Sequence, residues 1–109
     1  MMPYEITVQD LAARIREGKP LLLVDVREDW EREIGALPGS IHIPMAEVGT
    51  RISEFRAPAG GEIVLYCHHG IRSLMAAEYL EQSGIPSVGS LEGGIELWSE
   101  FIDPSVPRY

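Results

Sequence analysis

The stretch that decides the fold is EIVLYCHHGIRS, residues 62–73. Its first half, Glu62 to Cys67, is a nearly continuous apolar run, which is typical of a strand covered on both faces. Gly70 follows at a position where a positive φ lets the chain turn sharply into a helix that begins near residue 72 or 73. The stretch therefore predicts a buried strand, a tight loop and a helix, with Cys67 at the junction.

Strand and helix patterns alternate along the rest of the chain. Three further strands are predicted over residues 21–26, 40–44 and 87–91. Alternation of strands with helices indicates an α/β fold with an open, mostly parallel sheet and helices on both faces. The sheet is expected to be five-stranded, although the pattern locates only four of its strands. Helices are predicted from a capping box at Thr7 to Gly18, over Asp29 to Ile34, through Met45, Val48, Ile52 and Phe55, from Leu74 to Gly84, and through Ile95, Trp98 and Phe101.

Length and composition limit the classes of function. The 109 residues fit one domain, expected over residues 1–109, that folds without a disulfide or a metal. The net charge of −8 repels a phosphate backbone, so we expect no nucleic-acid partner. No apolar run reaches the roughly 18 residues of a membrane helix, so no membrane association and a cytoplasmic location are expected. The single cysteine excludes an internal disulfide, so any product on Cys67 must pass to an external acceptor.

The loop after the strand has the chemistry of an anion site. Amides of a tight turn and the start of a helix both favour a negative charge, and a sulfur at their centre is favoured as the nucleophilic thiolate. Arg72 follows Cys67 in a C-x4-R spacing and can direct a fork of donors at an incoming anion. No acidic residue lies between Ile63 and Ala77. The alternatives are a lone cysteine buried as a small hydrophobe and a solvated arginine.

The loop Cys67 to Ser73 resembles the active-site loop of single-domain rhodaneses, a Cys-x-x-Gly-x-Arg pattern. The resemblance extends in the same order to most of the chain, although Ala36 stands where that family often has histidine. The other matching segments are Asp25-Val26-Arg27-Glu28, Leu37-Pro38-Gly39-Ser40-Ile41-His42-Ile43-Pro44, and Leu91-Glu92-Gly93-Gly94 with Trp98.

The resemblance implies a sulfurtransferase that takes a sulfane sulfur from thiosulfate or a persulfide and holds it on Cys67 as a persulfide. It implies Arg72 as the second catalytic residue, the amides of residues 68–72 as a cradle, and no cofactor. No metal is expected, because the side chains of Cys67 and the next two residues are expected to point in divergent directions and so make a poor chelate. The residues expected to bind substrate are His68, His69, Gly70, Ile71 and Ser73.

The segment 102–109 is similar to the end of rhodanese domains that are fused to enzymes activating sulfur-carrier proteins. The expected partners are therefore a small sulfur donor, such as thiosulfate, and a sulfur-carrier protein or thiol acceptor. Asp25 and Arg27 are interpreted as a structural ion pair rather than an acid–base pair. Gly93, Gly94 and Trp98 are interpreted as turn and core residues.

Two other functions use similar residues. Cysteine-dependent phosphatases also cap an anion cradle with arginine, but with Cys-x5-Arg spacing, and the shorter loop here is expected to hold a sulfur rather than a tetrahedral phosphate. A rhodanese-like module that only binds partners is the other alternative. Such modules commonly lose the cysteine, whereas this chain has Cys67, Gly70 and Arg72.

Overall fold

The computed structural model describes residues 3–109 and places five strands in one open sheet. The strands lie in the order β1-β5-β4-β2-β3, and each neighbouring pair is parallel. The predicted five-stranded α/β sheet is therefore confirmed. The strands are β1 (Tyr4–Ile6), β2 (Leu21–Asp25), β3 (Ile41–His42), β4 (Glu62–Tyr66) and β5 (Val88–Leu91).

The strand β1 was not identified from the sequence. It has three residues and ends directly before Thr7, which caps the first helix through a hydrogen bond from the amide of Asp10 to its hydroxyl. Three residues carry too little alternation to indicate a strand. The partner strand defines it, since Tyr4 pairs with Gly89 and a side chain at Gly89 would collide with the Tyr4 ring.

The helices agree with the predicted pattern except between β3 and β4. The stripe from Met45 to Phe55 forms two short 3₁₀ turns rather than one helix, so that prediction was wrong. Gly49 and Thr50 interrupt it, because both favour non-helical backbone and the Thr50 hydroxyl donates to the carbonyl of Glu47 at 3.2 Å. The elements are α1 (Val8–Arg16), α2 (Asp29–Ile34), α3 (Ile71–Gln82), α4 (Gly94–Phe101), and the 3₁₀ turns Met45–Glu47 and Ile52–Glu54.

Apolar layers cover both faces of the sheet. Along β4, Ile63 and Leu65 belong to one layer with residues of α3, and Val64 and Tyr66 belong to the other with residues of α1 and α4. This burial on both sides explains the continuous apolar runs in the sequence. None of the helices within residues 3–109 has the length and apolarity that a membrane crossing requires.

Candidate active site

Cys67 follows the last residue of the central strand β4, at the edge of the sheet where ligands bind in open parallel α/β folds. Its side chain is 1% exposed. The sulfur accepts hydrogen bonds from the amides of Gly70 at 3.1 Å and Ser73 at 3.4 Å, and it also lies 3.4 Å from the Ser73 hydroxyl. The structure thus brings the predicted nucleophile together with two amides at the start of α3.

Close backbone contacts hold this loop in place. Gly70 has φ +102°, and a Cβ there would press on the Gly93 amide nitrogen and the Leu91 carbonyl oxygen at 3.2 Å. The first amides of α4 have no acceptor within their own helix. Those of Ile95 and Glu96 donate instead to the carbonyls of Cys67 and His68, at 3.0 and 3.1 Å. The loop is therefore anchored to a second helix start, which limits its freedom around the sulfur.

Arg72 is paired with a carboxylate that the sequence did not indicate. Its two terminal nitrogens donate to the two oxygens of Glu31 at 2.7 and 2.9 Å. Glu31 lies in α2, 41 residues earlier in the chain. The absence of acidic residues between Ile63 and Ala77 therefore holds only along the sequence, because the fold brings the buried carboxylate of Glu31 next to Arg72.

Glu31 is fixed by two further donors. The amide of Glu28 donates to one carboxylate oxygen at 3.0 Å, and the hydroxyl of Tyr109 donates to the other at 2.6 Å. The guanidinium of Arg72 lowers the pKa of Glu31 to about 2. Burial and the Glu31 carboxylate raise the pKa of Tyr109 to about 12. At neutral pH, Glu31 is thus an anion and Tyr109 a neutral donor.

Asp25 and Arg27 form the predicted structural ion pair. Both side chains are 0% exposed, and the Arg27 guanidinium donates to the two oxygens of Asp25 at 2.9 and 2.8 Å. Arg27 also donates to the hydroxyl of Tyr109 at 3.0 Å. This pair anchors the segment after β2, and Tyr109 connects it to the Glu31–Arg72 pair.

The two loop histidines stack on each other rather than diverging. The His68 ring lies 3.9 Å from the His69 ring and 3.9 Å from the Tyr109 ring on its other face. Burial and the neighbouring His69 lower the pKa of His68. Among residues 3–109, one potential ligand atom from each of His68, His69 and Glu96 lies within 4.8 Å of the other two, so these three side chains could hold a cation. Arg108 already donates to Glu96, which opposes that use.

The remaining residues expected to bind substrate lie at different depths. Gly70 and Ser73 contact the sulfur directly, and Ser73 is 0% exposed. Ile71 is 72% exposed and faces away from the interior. A cavity of about 440 Å³ lies next to Arg72, between the segments that follow β2 and β3. Arg72 lines this cavity, and its side chain is 36% exposed.

The acidic side chains of the site make stability depend on pH. The folded state holds the pKa of Glu31 well below that of an unfolded glutamate, so its contribution is complete above about pH 5 and is lost as the pH falls toward about 2. We expect the urea-unfolding free energy to be lower at about pH 3 than at about pH 7, with a smaller decrease in Glu31→Gln. Equal decreases in the two proteins would contradict this assignment.

Sequence comparison relates the whole site to known proteins. A family model described as a rhodanese-like domain matches residues 7–101. A sulfurtransferase of Allochromatium vinosum is 37% identical over 105 residues, which cover 96% of each chain. The adenylyltransferase and sulfurtransferase MOCS3 of Aedes aegypti is 34% identical over 118 aligned residues. That alignment covers all of this chain and 27% of the mosquito protein.

Structural comparison gives the same relationship. A rhodanese-like domain protein from Staphylococcus aureus superposes with a TM-score of 0.81 at 31% sequence identity. The match covers 97% of this chain and 98% of that protein. The α/β architecture is therefore that of the matched family, and the sulfurtransferases among the relatives support a role in sulfur transfer.

Proposed function

Because this chain belongs to the rhodanese-like domain family, we propose that it is a sulfurtransferase that carries a sulfane sulfur as a persulfide on Cys67. The donor is thiosulfate or a persulfide, and the acceptor is a thiophilic nucleophile. The observation that carries the proposal is the sulfur of Cys67, held at the end of β4 with two amides directed at it.

The amide contacts fit a charged sulfur. The amides of Gly70 and Ser73 can stabilise a thiolate and, afterwards, the inner sulfur of a persulfide. Both contacts lie at the start of α3, where the helix dipole favours negative charge. Other amides of the loop from His68 to Arg72 would cradle the outer sulfur.

The reaction has two half-reactions. The Cys67 thiolate attacks the outer sulfur of thiosulfate, a new S–S bond forms, and the donor S–S bond breaks so that sulfite leaves with the electron pair. An acceptor nucleophile then attacks the outer sulfur of the persulfide, and Cys67 leaves as a thiolate. Because one covalent intermediate links the two halves, ping-pong kinetics are expected.

Arg72 is proposed to anchor the anionic end of the donor. We expect Arg72→Ala to lower kcat/KM for thiosulfate by roughly 10- to 150-fold, about 1.5 to 3 kcal/mol, in the Glu31→Gln background, because a charged hydrogen bond to the donor is lost there. In the unmodified protein the decrease should be smaller, because Glu31 accepts from both terminal nitrogens of Arg72. Steady-state thiocyanate formation measures this value.

The Arg72→Ala variant also leaves Glu31 buried without its cation, so it needs a matched background. In the Glu31→Gln background, residue 31 carries an uncharged amide, so Arg72→Ala removes the arginine without leaving a buried carboxylate unpaired. An unchanged kcat/KM in both backgrounds would contradict the anchoring role.

The proposed acceptor is a sulfur-carrier protein or a small thiol. The support is the likeness of segment 102–109 to fused rhodanese domains and the alignment with MOCS3, whose name joins an adenylyltransferase and a sulfurtransferase. Incubation of the persulfide-loaded protein with candidate carriers, followed by intact-mass measurement of both proteins, tests this. Transfer to a small thiol but to no carrier would favour the simpler acceptor.

A further inference from the structure

The guanidinium of Arg72 already has an anionic partner. We propose that Glu31 is a specificity-determining residue: by occupying Arg72, it disfavours thiosulfate and favours an alkyl persulfide as sulfur donor. This inference rests on the proposed function and narrows its substrate class. The anionic sulfonate end of thiosulfate has to compete with Glu31, whereas an alkyl persulfide needs no anchor for its leaving group.

Glu31 is poorly placed to give way to a substrate anion. Its side chain is 3% exposed and its two oxygens accept four hydrogen bonds at 2.6 to 3.0 Å. Two of these come from Arg72, one from the Glu28 amide and one from the Tyr109 hydroxyl. Moving the carboxylate aside would break contacts that burial makes costly to lose. The pair with Arg72 is therefore a fixed part of the site.

The cavity beside Arg72 is acidic. The cavity beside it is lined by three carboxylates, those of Glu28, Asp29 and Glu47, and by no cation other than Arg72. Arg51 partly offsets Glu47, with a hydrogen bond of 3.1 Å, and His42 lies 3.7 Å from Asp29. A dianion entering here meets like charges that are only partly neutralised, whereas a donor of lower charge meets less repulsion.

An alkyl persulfide completes the reaction without an anion anchor. The Cys67 thiolate attacks the terminal sulfur of R–S–SH, an S–S bond forms to Cys67, and the donor S–S bond breaks. The group R–S⁻ leaves with the electron pair and takes up a proton from water. Cys67 is 1% exposed, so the part of the donor that contacts it must be narrow, and the terminal sulfur of an alkyl persulfide meets that requirement.

The test compares two donors in two matched variants. Glu31→Gln keeps the size of the side chain and removes its charge, and Glu33→Gln removes a charge from an exposed residue of the same helix. We expect Glu31→Gln to lower KM for thiosulfate about tenfold with little change in kcat, because the arginine becomes available to the donor. For an alkyl persulfide without sulfonate or carboxylate groups, both constants should stay within about twofold, as should those of Glu33→Gln for either donor.

A second variant keeps the test decisive if Glu31→Gln folds poorly. Tyr109→Phe retains the ring that stacks on His68 and removes the hydroxyl that holds Glu31. It should lower KM for thiosulfate by a few fold and leave the alkyl persulfide unaffected. An unchanged ratio of kcat/KM between the two donors in both variants would overturn the specificity role. If the unmodified protein takes up no sulfur from either donor, the proposed function itself is overturned.

Discussion

Replacement of Cys67 by serine is expected to abolish sulfur loading completely. After treatment with thiosulfate or an alkyl persulfide, the unmodified protein should gain about 32 Da, the mass of one sulfur, and Cys67→Ser should gain none. Serine fits the same space but cannot form the persulfide, so sulfur transfer should fall by roughly a thousandfold or more. Intact-protein mass spectrometry and thiocyanate formation measure the two effects.

The same measurement separates the proposed enzyme from its alternatives. An unmodified protein that gains no sulfur from either donor would favour a rhodanese-like module that only binds partners. Hydrolysis of a small aryl phosphate, without thiocyanate formation, would favour a phosphatase. A thermal transition of Cys67→Ser close to that of the unmodified protein is the control for folding, since the side chain is buried.

Asp25→Asn is expected to have the largest effect on stability. Arg27 is 0% exposed, and both its guanidinium and its backbone amide donate hydrogen bonds to the Asp25 carboxylate. The change removes that negative charge. Breaking one partner of a buried ion pair costs about 3 to 5 kcal/mol, because the other charge stays buried without compensation. That loss is a large fraction of the roughly 5 to 15 kcal/mol that stabilises a small domain. Urea unfolding at neutral pH measures it.

An exposed ion pair supplies the control for Asp25→Asn. Glu54 pairs with Arg51 at 2.7 Å on the surface, where solvent screens the interaction. Glu54→Gln should therefore leave the unfolding midpoint nearly unchanged. If the two variants lose similar stability, the Asp25–Arg27 pair does not have the anchoring role assigned to it.

The local sequence was sufficient for most of the fold. Continuous apolar runs in β2 and β4 predicted strands buried on both faces, and the structure confirms apolar layers on either side. The two failures are both cases in which local pattern was the wrong guide. The three residues of β1 are too few to show an alternating pattern. The apolar residues from Met45 to Phe55 do pack into the core, but Gly49 and Thr50 divide the segment into two 3₁₀ turns instead of one helix.

The environment of Arg72 could not be read from the sequence. Its partner Glu31 lies 41 residues away, and the donor to Glu31, Tyr109, lies a further 78 residues from that glutamate. Nothing in the short-range pattern of α2 marks Glu31, because its capping role beside Glu28 is sufficient to explain a glutamate there. The local absence of acidic residues suggested a cationic site, and the fold supplies a carboxylate to it.

The sequence by itself determined where the proposed nucleophile, Cys67, lies. A buried strand must end in a sharp turn at Gly70, and the carboxyl ends of parallel strands share one edge, so Cys67 and the amides that follow it are placed by local and topological rules alone. Only the tertiary structure decided how much positive charge remains available at that edge. That charge depends on which distant side chains the packed elements bring within hydrogen-bond reach, and here they bring Glu31 and Tyr109 to Arg72.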